Sequence, residues 1–409
     1  MKKPLICIAG VVALSFQCGP LGAEEFVPNY DEAKVPEYKL PDPLTGVKSA
    51  EGWTAKRSEI YTLIEREMFG QAPRFEGAIS FSEGIEKFEI LEGKAVVSQP
   101  VLDLAGKKLQ LLVILPRDSE EKVPAFIGYN FNGNHTVLDD KRVSLARGWV
   151  GRGKENKAQE SDRGSSASRW SVKQMIDSGF GLVTLYYGDV DPDFHDEFKN
   201  GIFEKYGVPK PHEWGSIGAW AWSLSRVLDF LEQNDRGIDP KHVAVFGHSR
   251  LGKTSLWAGA SDERFALVIS NDSGCGGAAL SKRAYGETVW RINNSFPHWF
   301  CGNFMKYGNN EAEMPFDSHM LIALMAPRPV YVASAEKDRW ADPHGEFLAC
   351  VGADPVYRLL GTEGLPSKEF PKVNEPVQGR IGYHIRTGSH DVTDYDWEQY
   401  IKFAKKHFK

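Results

Sequence analysis

The sequence predicts an α/β fold in which helices cover both faces of a mostly parallel β-sheet. Short apolar runs bounded by turn residues recur along the chain, as strands buried on both faces do. Amphipathic stretches alternate with these runs, which is the pattern of strand-helix-strand units in a parallel sheet. One apolar run, at 243–246, leads through Gly-x-Ser directly into a helix-like segment.

The composition is that of an ordinary globular protein and excludes several classes. The 409 residues include 49 Lys or Arg and 55 Asp or Glu, which gives a net charge of −6. A nucleic-acid binder usually carries a basic surface, so we expect no nucleic-acid partner. With 42% hydrophobic and 25% charged residues, the chain is not disordered, coiled-coil or collagen-like.

The first residues predict export. Lys2 and Lys3 precede an apolar run at 5–16, and small residues at 22–23 suit a cleavage site before Glu24. We interpret 1–23 as a signal peptide and expect a secreted or periplasmic protein. Neither this run nor any later segment has the roughly 20 apolar residues of a membrane helix, so we expect no membrane partner.

The five cysteines indicate neither a lipid anchor nor a metal site. Cys7 and Cys18 lie in the predicted signal peptide, and a lipid anchor on Cys18 is disfavoured by the bulky Phe16-Gln17 before it. The remaining three allow at most one intramolecular disulfide. Their wide spacing is not that of a zinc site, so we expect no metal. These three are Cys275, Cys301 and Cys350.

We expect 24–409 to form a single domain that begins with an extended, Pro-rich arm at 24–52. A helix at about 54–68 follows. Two runs, 96–104 and 108–115, predict a β-hairpin that turns at Ala105-Gly106. Further strands are predicted at 125–129, 181–187, 242–246, 267–270, 329–334 and 382–386.

Two connecting segments differ in character. The segment 215–232 has apolar residues at intervals of three and four, which predicts a helix. The segment 130–169 is polar and rich in Gly and Ser, and it is long for a connection. Long loops in compact domains tend to be functional, so we expect a role for this loop insertion.

The sharpest signal is Gly247-His248-Ser249-Arg250-Leu251-Gly252, between an apolar strand and an amphipathic helix. This is the context of a nucleophile elbow, which exposes the serine hydroxyl beside the unpaired N–H groups of a helix N-terminus. The second glycine comes one place later than usual, and a structural turn with a capping serine is the alternative. Arg250 favours catalysis, because a guanidinium there can donate to an oxyanion. Lys253 should point toward the same pocket.

Candidates for the other catalytic groups lie downstream, as the chain order of α/β-hydrolases requires. His390 follows the last predicted strand, where the catalytic histidine belongs. Asp272 and Asp338 each follow a predicted strand after the elbow helix, and either carboxylate can orient an imidazole. Both also suit turns or helix caps. The competing histidines are His298, His319, His344, His384 and His407.

Five segments are distinctive: GHSRLGK at 247–253, NDSGCGGAAL at 271–280, APRP at 326–329, DRWADP at 338–343 and GSH at 388–390. Together they are similar to those of bacterial glucuronoyl esterases of carbohydrate esterase family 15. Their order and spacing agree over essentially the whole mature chain. The resemblance implies a three-layer α/β-hydrolase fold and cleavage of the ester between (4-O-methyl-)glucuronic acid of xylan and lignin alcohols, with no cofactor.

The resemblance also implies a role for each matched residue. Ser249 is the nucleophile, His390 the general base and Arg250 the oxyanion donor. The acid of the family is often a Glu at the place of Asp272, while Asp338 occupies the other known position, so both are expected near His390. The sugar is held by Lys253, Glu287 and Trp340, of which Glu287 is otherwise a solvated acid and Trp340 a core aromatic.

A disulfide of fungal members joins the residue before the serine to the residue after the histidine. This chain has His248 and Asp391 at those places. We hypothesise that the two side chains form a hydrogen-bonded or ionic pair instead. By loose analogy, Cys275 and Cys350 are expected to form a disulfide.

Other functions remain as alternatives. An acetyl-xylan or feruloyl esterase on the same fold is the nearest, and it would leave the sugar-binding side chains unused. A non-catalytic carbohydrate-binding protein and a serine peptidase are further from the pattern. We expect a glucuronoxylan-lignin ester as substrate and a monomeric protein.

Overall fold

The computed structural model describes residues 26–75, 77 and 79–408. The predicted signal peptide lies outside these residues. Among them, no helix is long and apolar enough to cross a membrane. The α-helices are α1 Ala50–Ile64, α2 Val172–Asp177, α3 Phe203–Tyr206, α4 Ser216–Gln233, α5 Arg250–Ser261, α6 Val289–Ser295, α7 Ser318–Ala323, α8 Pro343–Leu359 and α9 Asp394–His407.

One β-sheet organises the fold. Its strands are β1 Ser80–Ser82, β2 Phe88–Ile90, β3 Ala95–Ser98, β4 Val101–Leu104, β5 Lys107–Pro116, β6 Val123–Asn130, β7 Gly181–Tyr186, β8 Ile238–His248, β9 Leu267–Asn271, β10 Val330–Ala335, β11 Val377–Gln378 and β12 Ile381–Arg386. The order across the sheet is β1-β4-β5-β7-β6-β8-β9-β10-β12-β11, with β3 beside β5 and β2 beside β3. Strands from β7 to β12 in that order run parallel, whereas β5 is antiparallel to β7.

Alternate residues of the buried strands face two separate cores. In β8, Val243 and Val245 pack into the core covered by α1, α4, α5, α7 and α8. Ala244 and Phe246 face the opposite core, which α2 and α9 cover. The predicted α/β-hydrolase fold, a three-layer sandwich, is therefore confirmed. The uninterrupted apolar runs reflect burial on both faces of the parallel strands.

The predicted strands at 125–129 and beyond are all present, but two other predictions need correction. The run at 96–104 is two strands, β3 and β4, which are separated at Gln99-Pro100. Pro100 has no N–H to donate to a ladder, and its carbonyl accepts from Leu111 N at 2.9 Å. Helix α1 begins at Ala50, inside the predicted arm.

The segment 26–49 lies along the loops that follow the parallel strands. Gly286 N donates to Asn29 O at 2.8 Å, and Arg283 pairs with Glu32 at 2.7 Å. Further along, His319 Nε2 is 2.7 Å from Pro41 O. These contacts join the N-terminal segment to the loops that build the site described below.

The three described cysteines are free and buried. The expected disulfide between Cys275 and Cys350 is therefore wrong. The Sγ of Cys275 faces the hydroxyl of Ser281 at 3.8 Å, and Cys350 lies within α8. Burial raises the pKa of both thiols well above the usual value.

Candidate active site

Ser249 stands on a sharp turn between β8 and α5. Its φ of 58° and ψ of −128° are a conformation that costs about 1–3 kcal/mol and persists only where the surroundings impose it. Here its N–H donates to Asn271 O at 2.9 Å, and its carbonyl accepts from Gly252 N at 2.8 Å. The turn therefore presents the hydroxyl at the N-terminus of α5, as a nucleophile elbow does.

Both glycines around the serine are required by close packing. A Cβ on Gly247 would lie 1.8 Å from the carbonyl oxygen of Leu251. A Cβ on Gly252 would lie 2.9 Å from Cβ of Ser273, in the loop after β9. The second glycine of the motif, one place later than usual, therefore lets α5 pack closely against that loop.

His390 lies in the loop after β12, and its Nδ1 is 2.6 Å from Oδ2 of Asp338. Asp338 follows β10 and is buried, whereas the side chain of His390 is 41% exposed. A buried carboxylate bonded to Nδ1 fixes the imidazole and leaves Nε2 for proton transfer. Ser249 and His390 line the same two cavities.

Asp272 is close to this pair but is held differently. Ligand atoms of Asp272, Asp338 and His390 lie within 4.8 Å of one another. Oδ2 of Asp272 faces Arg386 at 3.6 Å, and Oδ1 has no hydrogen-bond partner among the described residues. Burial, followed by the nearby Asp338 and Glu346, raises the pKa of Asp272 well above its usual value. Both acids are near His390, as expected, but Asp338 makes the direct hydrogen bond.

Arg250 is anchored by a residue that the sequence analysis missed. Its guanidinium pairs with Asp193, which also accepts from Trp299 Nε1 at 2.7 Å and lies 2.9 Å from His298 Nε2. Burial alone raises the pKa of Asp193, but the His298 hydrogen bond and the Arg250 charge lower it to about 2. The sequence did offer one indication of Asp193: it comes shortly after the predicted strand at 181–187, and functional groups gather at the edge where parallel strands end.

One cavity beside Ser249 carries the predicted sugar-binding residues. Lys253 Nζ donates to Ser273 O at 2.5 Å and lies 3.7 Å from Oε2 of Glu287. Burial raises the pKa of Glu287, against the opposing charge of Lys253, so this acid is not a solvated surface group. The cavity, of about 340 Å³, is lined by Ser249, Arg250, Lys253, Asp272, Ser273, Gly274, Glu287, Phe296, Trp299, Asp338, Trp340, Ala341 and His390.

A second cavity of about 380 Å³ is also lined by Ser249, Arg250 and His390. Part of its wall comes from the long loop between β6 and α2. Its lining residues are Phe131, Asn132, Trp149, Gly151, Arg152, Arg169, Tyr187, Asp193, His248, Ser249, Arg250 and His390. The long loop therefore shares a cavity with Ser249, Arg250 and His390.

The hypothesis of a His248–Asp391 pair is wrong. Nδ1 of His248 is 2.6 Å from Oδ1 of Asn271, its neighbour across the β8–β9 pair. Asp391 instead pairs with Arg169 Nε at 2.7 Å. The ring of His248 packs 4.4 Å from that of His390, and burial lowers the pKa of His248 well below the usual value.

The competing histidines have other partners. His384 is buried in β12 and lies 2.9 Å from Asp396. His298 faces Asp193, His319 faces Pro41 O, His344 faces Glu32 and His407 faces Gly379 O. None of these five side chains lines either cavity beside Ser249.

Comparison with known proteins identifies the family of this chain. The model of fungal glucuronyl esterases matches residues 167–361. Carbohydrate esterase MZ0003, from an unknown prokaryotic organism, is 51% identical over 400 residues, which cover 93% of this chain and 92% of the relative. The solved glucuronoyl esterase from Solibacter usitatus is 44% identical, with a TM-score of 0.86 over 92% of this chain and 100% of that chain. This chain belongs to the glucuronoyl esterases of carbohydrate esterase family 15.

Proposed function

We propose that this esterase is exported and cleaves the ester between (4-O-methyl-)glucuronic acid of xylan and an alcohol of lignin, through an acyl-enzyme on Ser249. One observation carries the proposal: the strained serine, its histidine and an anchored guanidinium meet at a cavity with a buried ammonium, a buried carboxylate and an indole. Those groups belong to Ser249, His390, Arg250, Lys253, Glu287 and Trp340.

The first step is attack on the uronoyl carbon. His390 takes the proton of Ser249 as Oγ forms the new C–O bond, and Asp338 stabilises the imidazolium across the 2.6 Å hydrogen bond. The carbonyl oxygen becomes an oxyanion. Backbone N–H groups at the start of α5 and the guanidinium of Arg250 donate to it.

The second step releases both products. As the tetrahedral intermediate collapses, His390 gives its proton to the departing alkoxide, which leaves as the alcohol. A water molecule then loses a proton to His390 and attacks the acyl carbon. Collapse of this second intermediate frees glucuronate, and Ser249 regains its proton.

The acyl half is recognised by fixed charged groups. Lys253 donates and Glu287 accepts, so the pair can bind vicinal hydroxyls of a sugar ring, while the indole of Trp340 offers a face and an N–H. An acetyl group carries no such hydroxyls. The 3.7 Å separation between Nζ and Oε2 leaves both groups able to take up sugar hydrogen bonds.

The test is hydrolysis of a methyl or benzyl ester of glucuronic acid, run beside acetylated xylan, with Ser249→Ala as the control. We expect rapid cleavage of the uronate esters and none by the variant. Release of acetate alone would favour the acetyl-xylan or feruloyl esterase alternative and remove the sugar-binding roles.

Export is tested separately on the full-length chain. N-terminal sequencing of protein recovered from the periplasm or medium should begin at Glu24, after cleavage of the predicted signal peptide. Recovery only from the cytoplasm, with Met1 retained, would contradict export.

A further inference from the structure

The segment 26–32 lies against the two loops that carry Glu287 and Trp340. In the first loop, Gly286 N donates to Asn29 O at 2.8 Å. The two loops also bond to each other, because Glu287 N donates to Trp340 O at 3.0 Å. The backbone that carries both proposed sugar-binding residues is therefore joined to a segment that is distant from it in sequence.

Charged side chains fix the same segment to the loop after β10. The guanidinium of Arg339 donates to Tyr30 O and lies over the ring of Tyr30, 4.8 Å from its centroid. Glu32 accepts from Arg283 at 2.7 Å, and Arg283 Nε donates to Asp342 at 2.8 Å. The side chains of Arg283 and Asp342 are buried, where satisfied polar groups hold one arrangement. The segment is therefore bonded to the loop on both sides of the indole-bearing residue.

One ring of the segment contacts the indole itself. The rings of Phe26 and Trp340 lie 6.0 Å apart at 84°, edge to face. Trp290 stacks on the ring of Phe26 at 5.9 Å and 24°. Phe26 does not line the cavity with Lys253, so its ring contacts the indole from outside that cavity. Edge-to-face packing favours one relative orientation of two rings, and Phe26 therefore limits the positions open to the indole.

We propose that Phe26 is a positioning residue, which holds the indole of Trp340 in the orientation that binds the glucuronate ring. The inference rests on the proposed function, because it requires the indole to contact the sugar. Phe26 acts through the indole and not on the reacting atoms. Without the Phe26 ring, the indole gains orientations that do not face the sugar, and binding must then order it. An acetyl group makes no use of the indole.

The test compares methyl glucuronate with p-nitrophenyl acetate, because both substrates use the same catalytic groups. For Phe26→Ala we expect kcat/KM on methyl glucuronate to fall about three- to tenfold, the range of one aromatic pair. Hydrolysis of p-nitrophenyl acetate should stay within about twofold, which also shows that the variant is folded. Phe26→Tyr keeps the ring and should recover most of the loss.

Val27→Ala is the matched control. Val27 is the next residue and is 82% exposed, so its truncation should leave both activities at the wild-type level. A loss on methyl glucuronate equal to that of Phe26→Ala would overturn the proposal, since the effect would then not belong to the ring.

A double variant asks whether Phe26 acts through the indole. In the Trp340→Ala background, Phe26→Ala should change kcat/KM on methyl glucuronate by less than about twofold, because the side chain that it positions is gone. A merely structural role would lower kcat/KM by the same factor in both backgrounds. That result would overturn the proposal.

Two further results distinguish failure of this inference from failure of the proposed function. If the wild type hydrolyses p-nitrophenyl acetate but no glucuronate ester, the proposed function has failed and the inference fails with it. If the wild type cleaves the glucuronate ester and Phe26→Ala affects both substrates equally, or affects neither, the positioning role is overturned while the function stands.

Discussion

The two cavities that meet at Ser249 are built in different ways. One wall combines Lys253 on α5 with loops after β9 and β10, and its paired Lys253 and Glu287 are buried. Part of the wall of the other cavity comes from the long loop between β6 and α2, where Phe131 and Trp149 are half-buried. Buried charged groups therefore form the wall of the proposed acyl site, whereas half-buried aromatic rings line the other cavity.

The support behind the first wall explains its rigidity. Glu346 on α8 accepts from the N–H groups of Ser273 and Gly274 at 2.9 Å each and from Ser334 Oγ at 2.6 Å. Behind the loop after β10, Arg283 Nε donates to Asp342 at 2.8 Å. Buried polar groups with satisfied partners hold side chains in one arrangement. A catalytic or sugar-binding group placed there is preorganised.

The largest expected effect concerns Asp338, the acid in the wall of the cavity with Lys253 and Glu287. Asp338→Asn should lower kcat on methyl glucuronate by about 10⁴-fold, because an amide at Nδ1 favours the wrong imidazole tautomer. Steady-state kinetics measure this. Asp272→Asn is the matched comparison and should cost less than about tenfold, since burial already favours the neutral carboxyl, which an amide resembles. The reverse ranking would assign the acid to Asp272.

The next effect concerns Asp193, which pairs with Arg250, a residue that lines both cavities. Asp193→Asn leaves the guanidinium without its charged partner. We expect kcat to fall by about 10²- to 10³-fold, the cost of losing one oxyanion donor. Arg250→Ala should give a similar loss, and the double variant should be little worse than either. Additive losses would show that the two residues act independently.

A smaller effect concerns Lys253, and the variant Lys253→Met tests its proposed role in binding the sugar of the acyl half. It should lower kcat/KM on a uronate ester by about 10- to 100-fold, the loss of a hydrogen bond to a charged group. Hydrolysis of p-nitrophenyl acetate should stay within about twofold, because acetate offers nothing for the ammonium to bind. Glu287, whose pKa burial already raises, can take up a proton in the variant. An equal loss on both substrates would contradict a sugar-specific role.

The smallest effect is on stability at low pH. A carboxyl with a folded pKa of about 2 and an ordinary value of 3.8 stabilises the fold above the unfolded pKa, and this stability is lost as the pH falls through the folded pKa. Between about pH 5 and about pH 2, the free energy of unfolding of the wild type should fall by about 2 kcal/mol more than that of Asp193→Asn. Urea denaturation at several pH values measures the difference. Parallel curves for the two proteins would argue against the Asp193 assignment.

The sequence by itself determined the layers of the fold and the edge of the sheet that carries the chemistry. Runs of apolar residues must be buried strands, and parallel strands all end at one edge. Ser249, Asp338 and His390 each follow such a strand, so their proximity was predictable. The strand-turn-helix context around Ser249 also indicated the elbow.

Only the tertiary structure decided which side chains pair at that edge. Asp272 and Asp338 follow neighbouring strands and both reach His390, yet only Asp338 lies 2.6 Å from Nδ1. Likewise, Asp193 meets Arg250 across 57 residues, and His248 bonds with Asn271 rather than Asp391. Strand order places a residue at an edge, but the packing of loops distant in sequence sets distances of a few ångströms, on which hydrogen bonds and pKa values depend.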